Sequence, residues 1–349
     1  MNDMLREGAK NCAIDCARVR SGNDVYIVNE TGAVETEVSE AIQEIVEEQG
    51  ARPVVVWEGP ISKGSEDIPQ RVLEAYTKGD VVISHFPTLK REALFAHVQG
   101  DTRSRATNRA MSVSLLRSDW ARFPYALQLA IIKTIDDLLT HGEEWHITSP
   151  NGTDVKGKVG TATSTVAQAY FARGEDDSRA SRNFPGGVHT PLMSAETEGV
   201  VVIDHANVKG GFRPSSPIRI ELKDGKVKKI EGGTDAVVIV NELKKTDGYL
   251  DSWHAGTNPK TIVPIKKYDN PTSWWTYVHC SPEVLHFHLG RTHAPVNVAI
   301  FDQTLSIDGK KIYDCGKLAI LNEAEIQRAA KTLDVPAASF SQNPIDLSL

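Results

Sequence analysis

Residues 24–58 read DVYIVNETGAVETEVSEAIQEIVEEQGARPVVVWE. A short apolar run, 24–30, is rich in β-branched residues and predicts a strand. The next stretch, 36–50, spaces its apolar residues as one face of a helix and ends at Gly50, a residue suited to closing a helix. The run 52–58 predicts a second buried strand. The alternation extends in both directions. A helix is expected over 3–19, another over IPQRVLEAYTKG (68–79), and a third strand over DVVISHF (80–86). Strands alternating with helices imply a parallel sheet covered by helices on both faces. The pattern continues with helices expected near 89–98 and over 124–141, separated by an irregular basic stretch.

Beyond Gly142 helical spacing nearly vanishes until 323–333. Short strand-like runs take over: EWHITSP, TDVKGKV, GVVVIDHA, PIRIELKDGKVKKIEGG, AVVIVNEL, KTIVPI, VLHFHLG, NVAIFD and TLSIDGKKIY. Lys223-Asp224-Gly225-Lys226 sits between two alternating runs and signals a hairpin. A boundary is therefore expected near 142–146. It separates an α/β domain with a parallel sheet (1–144) from a mostly antiparallel β (α+β) domain (145–349).

The chain has 349 residues, long for a single hydrophobic core, which agrees with two domains. Its net charge is −7 and it shows no basic stripe, so a nucleic-acid partner is not expected and a small-molecule substrate is. No apolar stretch is long enough to span a membrane, and the N-terminus lacks a signal core. Cys12, Cys16, Cys280 and Cys315 have neither disulfide nor zinc-finger spacing, which fits a reducing cytoplasm.

The eleven histidines are unevenly placed: His254, His279, His286, His288 and His293 fall within forty residues. Neutral imidazole is a common ligand for transition metals. In Val284-Leu285-His286-Phe287-His288-Leu289 the alternation of a strand turns Leu285, Phe287 and Leu289 to the core. It leaves His286 and His288 side by side on the other face. They either share a metal ion or face solvent. His254 lies in a turn-rich loop, Asp251-Ser252-Trp253-His254-Ala255-Gly256-Thr257-Asn258-Pro259, and is either a ligand or a backbone-bonded loop residue. His189 follows a Gly/Pro loop, Asn183-Phe184-Pro185-Gly186-Gly187-Val188, and enters a strand. His85 ends the third strand of the first domain. Ligands in open α/β sheets bind there, so a site role competes with a core role.

Other motifs are absent. No Gly-x-Gly-x-x-Gly follows the first strand, and there is no Gly-x-Ser-x-Gly or His-Glu-x-x-His. Gly152 to Lys158 has phosphate-loop spacing, but Val159 stands where Ser or Thr is needed. The basic region 103–122 is expected to be solvated or to clamp an anionic substrate.

Several segments together resemble the aminopeptidase T family of metallo-aminopeptidases. They are Ser149-Pro150-Asn151-Gly152-Thr153-Asp154-Val155, Asn183-Phe184-Pro185-Gly186-Gly187, Gly256-Thr257-Asn258-Pro259-Lys260, Leu285-His286-Phe287-His288-Leu289-Gly290 and Ser306-Ile307-Asp308-Gly309-Lys310-Lys311. The chain's length and Val82-Ile83-Ser84-His85-Phe86-Pro87 are more similar to 2,5-dihydroxypyridine 5,6-dioxygenase, a non-haem iron enzyme on the same scaffold. The resemblance implies a homodimer, a histidine acting near the substrate at His85, and a metal ligand at His286. The sequence departs from the family at other ligand positions. Val188 and His189 follow Phe-Pro-Gly-Gly where the peptidases have glutamate. A glutamate, or a histidine in the dioxygenase, is usual near Ser252, and the family's late His-x-Asp ligand pair falls near Pro295 and Asn297. Histidines at 189, 254 and 288 stand near the altered positions, as in a site rebuilt from imidazoles.

Three functions follow. The first is an iron(II) dioxygenase opening a small hydroxylated aromatic or heteroaromatic ring. His189, His254, His286 and His288 form its ligand pool, Asp251 or Glu283 is an available carboxylate, and His85 is the acid/base. Arg291 or an arginine of 103–122 would hold a substrate anion. The second is a zinc, manganese or cobalt hydrolase of an amide or peptide, with Glu283 or Asp251 as base. The third is a non-catalytic relative that keeps the fold and binds a ligand.

Overall fold

Strand β1 (Asp24–Glu30) buries Val25, Ile27 and Val28, the apolar run that marked it. It pairs in parallel with β2 (Arg52–Glu58) on one side and β3 (Val81–His85) on the other. The computed structural model describes residues 1–61, 67–87, 103–159, 181–186, 188–189, 196–208, 211–260, 281–290 and 296–340. The helix expected near 89–98, the run 261–265, and His279, Arg291, His293 and Pro295 lie outside these residues.

By internal contact the chain forms two compact units, Met1–Leu129 with Ala169–Gly186, and Ala130–Gln168 with Gly187–Leu349. The first unit is built on a five-stranded sheet in which β3 is followed by β4 (Ser104–Asn108) and then by β7 (Ser181–Phe184), all parallel. Helix α2 (Thr36–Glu48) connects β1 to β2 and buries Val38, Ala41, Ile42, Ile45 and Val46, the i, i+3, i+4, i+7 stripe of a core-facing helix. Gly50, at φ 76°, closes it as expected. Helix α3 (Gln70–Lys78) packs Val72, Ala75 and Tyr76 on Val28, Val56 and Val82.

Two expectations for this unit change. The helix expected over 3–19 is α1 (Asp3–Lys10), which widens into a π-helical segment, Asn11–Cys16. Asn11 accounts for the change: its amide donates to the carbonyls of Ala121 and Phe123 and accepts from the Tyr125 N–H. The stretch read as irregular and basic contains β4. Arg105 is 6% exposed there, and its guanidinium donates to the carbonyls of Tyr76 and Ser104 at 2.9 Å each. A buried arginine bonded to main chain looks, in sequence, like a solvated one.

The second unit holds two antiparallel sheets. The larger, of eight strands, runs β12 (Lys226–Glu231), β11 (Ile218–Lys223), β9 (Glu198–Ile203), β6 (Asp154–Lys158), β5 (Glu144–Thr148), β16 (Thr304–Ile307), β17 (Lys310–Asp314) and β18 (Lys317–Leu318). Its hairpin at Asp224-Gly225 has φ of 53° and 71°, the doubly left-handed turn that a right-twisted hairpin requires. Asp308-Gly309 and Cys315-Gly316 repeat that geometry. The smaller sheet runs β10 (His205–Asn207), β15 (Val296–Phe301), β14 (Val284–Leu289), β13 (Leu250–Ala255) and β8 (Val188–His189). The chain is thus α/β with a parallel sheet, followed by a mostly antiparallel β region.

The run AVVIVNEL is not a strand. It lies in a helix, Thr234–Leu243, that buries Ala236, Ile239 and Leu243 and leaves Val237 57% exposed. A short β-branched run suits either structure in isolation, and the i, i+3, i+7 spacing of its buried members is what separates them. Among the described residues no helix is long and apolar enough to cross a membrane.

Candidate metal centre

His254 is not on a loop. It stands on β13, directly across from His286 on β14, and Ser252 stands across from His288. Residues opposed in an antiparallel pair share a face, and so do residues two apart along a strand. The register therefore gathers His254, His286 and His288 on one face. On the other, Trp253, Leu285, Phe287 and Leu289 are all at most 1% exposed, the core assignment that the alternation implied.

The three rings lie close together. Centroids are 4.6 Å apart for His254 and His286, 4.1 Å for His254 and His288, and 5.2 Å for His286 and His288. One nitrogen from each ring lies within 4.8 Å of the other two. Imidazole nitrogens sharing one ion at about 2.1 Å are about 3.0–3.4 Å apart, so modest side-chain rotation brings these rings onto a metal. His286 is fully buried, His254 is 4% exposed and His288 half-buried, so neither member of the His-x-His pair faces open solvent. Burial pushes His288 down to about 4, which keeps it neutral at physiological pH with a lone pair to donate. The donor set fits a borderline divalent transition metal.

Ser252 orients His254. Its hydroxyl lies 3.0 Å from His254 Nε2 and 3.4 Å from Asp251 Oδ2. The hydroxyl has one hydrogen and the carboxylate can only accept, so the serine oxygen accepts from Nε2–H and Nδ1 carries the lone pair. Hydrogen bonds of this type fix the tautomer and direction of metal-bound histidines.

The other expected site residues are placed as follows. His189 on β8 is in register with His254, which extends the row of histidines to a third strand. Asp251 is half-buried on β13, facing Ser252, and Glu283 immediately precedes β14. Among the described residues neither carboxylate enters the group of ligand atoms. His85 lies in the first unit, fully buried at the end of β3. Its Nδ1 is 2.9 Å from Asn29 Oδ1 and its Nε2 is 2.9 Å from Asn108 Nδ2. Asn29 donates its amide to Ser39 Oγ, and Asn108 Oδ1 accepts from Ala110 N–H, so both amides are fixed in direction. His85 therefore donates from Nδ1 and accepts at Nε2, and burial pushes its protonation down to about 3.

One residue was overlooked in sequence. His205 on β10 is opposite Ala299, and Ala299 is opposite His286. It is 3% exposed and pushed down to about 4, first by burial and then by the charge of Arg213. The run GVVVIDHA showed a strand there, but only the pairing of β10 with β15 puts His205 in the same cross-strand row.

Three imidazoles gathered on one strand pair are a donor set that could hold a metal ion. The family described as 2,5-dihydroxypyridine 5,6-dioxygenase (NicX) matches residues 11–254. The chain belongs to that family and is an enzyme of its ring-cleaving, dioxygenase-like class. The matched segment ends at His254, so His286 and His288 lie beyond it. Among solved structures, 2,5-dihydroxypyridine dioxygenase from Pseudomonas putida KT2440 has a similar fold, with a TM-score of 0.66 and 13% identity over 92% of this chain and 98% of that one. Wild-type AmpT from Thermus thermophilus is also similar, with a TM-score of 0.58 and 13% identity over 90% and 99% of the two chains. No curated protein matches the sequence.

Proposed function

We propose that the enzyme is a mononuclear iron(II) dioxygenase that opens a small hydroxylated aromatic or heteroaromatic ring. The observation that carries this reading is the group of three imidazoles on one face of β13 and β14, in a chain of the dioxygenase family. His254, His286 and His288 would hold the ion, with His189 in register as a further donor. When bound, iron(II) supplies activation of dioxygen and of a chelated ring. The protein's part is to hold the imidazoles neutral and oriented. Ser252 and Asp251 do this for His254, which gives Asp251 a positioning role; Glu283 remains a carboxylate available beside β14.

His85 is in the protonation state that a base needs: neutral, with its lone pair at Nε2. In this reading His85 would be the acid/base, with the Nε2 lone pair directed at the Asn108 amide. The small-molecule partner, the homodimer implied by family resemblance, and a cytoplasmic location suited to the free thiols of Cys12, Cys16 and Cys315 belong to the same reading.

The test is aerobic incubation of iron-loaded protein with 2,5-dihydroxypyridine and related dihydroxy rings. The expected result is uptake of one O2 per ring opened, with both oxygen atoms in the product. Absence of oxygen uptake with every such ring opposes it. The fold shared with AmpT supports a second reading, a zinc, manganese or cobalt hydrolase of an amide or peptide. Anaerobic hydrolysis that chelator abolishes would select that reading.

A further inference from the structure

Strand β15 forms the other flank of the histidine pair. Its register with β14 sets Asn297 directly across from His288 and Ala299 across from His286. On β10, Asn207 is in turn across from Asn297. Two cross-strand rows therefore run over this face: His205, Ala299, His286, His254, His189 and Asn207, Asn297, His288, Ser252. No position in either row is a carboxylate. Asn297 Oδ1 is buried and, among the described residues, has no hydrogen-bond partner. An amide oxygen withdrawn from water without a donor is costly, and it points to a donor that arrives with a ligand.

We propose that Asn297 is a specificity-determining residue. Its uncharged carboxamide leaves a divalent ion at this centre with its full charge, and its Oδ1 accepts from a hydroxyl of the bound molecule. The centre then selects a small chelating anion, a ring that pairs a hydroxyl with an ionised oxygen or carboxylate. The inference rests on the metal reading above. Three neutral imidazoles leave a formal charge of +2 on the ion, whereas one added carboxylate lowers it to +1. In a partly buried site that difference acts more strongly on an anion than on a neutral ligand.

The experiment uses full-length protein loaded with cobalt(II), whose visible absorption reports both metal uptake and exogenous ligands. Azide serves as the anionic probe and imidazole as the neutral one, each titrated into wild type, Asn297→Asp and Asn297→Ala. Asn297→Asp is expected to take up cobalt at least as well as wild type. Its azide affinity should fall ten-fold or more, with imidazole affinity changed less than three-fold. Asn297→Ala, which adds no charge, should keep azide affinity within three-fold. Where Asn297→Asp does not fold, Asn207→Asp, directly across from Asn297 on β10, adds the same charge from the next strand and should give a loss in the same direction. Equal azide affinity in wild type and the acidic variant, with cobalt bound in both, overturns this inference alone. Failure of wild type to bind cobalt overturns the metal reading, and this inference with it.

Discussion

His254 and His288, on neighbouring strands and one register step apart, stack with ring centroids 4.1 Å apart and planes 28° from parallel. Two charged imidazoliums would repel at this distance, so the packing disfavours charging both rings, and a shared metal ion needs a lone pair from each. Ser252, beside both rings, bonds through its hydroxyl to His254 Nε2 and Asp251. Ser252→Ala is therefore expected to lower metal affinity about 10- to 100-fold, the usual cost of losing a group that orients a ligand. Competition titration with a chromophoric chelator measures this, and an unchanged affinity would remove Ser252 from the centre.

The opposite face of β14 belongs to the core. Phe287 is fully buried between Trp253 and Val298, its cross-strand partners. Phe287→Ala should cost about 3–5 kcal/mol of unfolding free energy by urea titration. In metal-free protein, truncating the half-buried His288 should cost much less than this. Equal losses would mean that the two faces are not distinguished as the register requires.

The helix at Thr234–Leu243 gives a sharper test of local structure. In a strand, Val237 and Ile239 would share a face. In the helix Val237 is 57% exposed and Ile239 fully buried. Ile239→Ala should cost about 2–4 kcal/mol, and Val237→Lys should change stability by no more than about 0.5 kcal/mol. Comparable losses at both positions would restore the strand.

His85 should make stability depend on pH. Its pKa is lowered from 6.5 to about 3 by burial, so between those values the unfolded chain takes up a proton that the folded one refuses. The stability it contributes is complete above pH 6.5 and declines as pH falls, by about 1.4 kcal/mol per pH unit, until the folded ring itself titrates near 3. In metal-free protein, His85→Gln should show a shallower acid slope than wild type in urea midpoints. Identical slopes would show that His85 titrates normally.

What the sequence disclosed follows from which information is local. Period-2 alternation in Val284–Leu289 separated the histidine face from the core face because it is written within six consecutive residues. Periodicity found α2 and β1 for the same reason. His254 was misplaced because Gly256, Asn258 and Pro259 follow it closely, and their turn character spread over a strand that ends at Ala255. Strand β4 was missed because the burial of Arg105 depends on the carbonyls of Tyr76 and Ser104. The metal group itself rests on register. Nothing local says that residue 254 opposes 286, that 252 opposes 288, or that 205 reaches the same row through Ala299.

The central claim is that His254, His286 and His288 hold one metal ion. Elemental analysis of untagged protein, purified without chelator and reconstituted anaerobically with iron(II), tests it most directly, with His286→Ala and His288→Ala treated in parallel. The account predicts close to one iron per wild-type chain and a small fraction of that in either variant, with folding intact by circular dichroism. Wild type that holds no metal after reconstitution, or variants that hold as much as wild type, would contradict it.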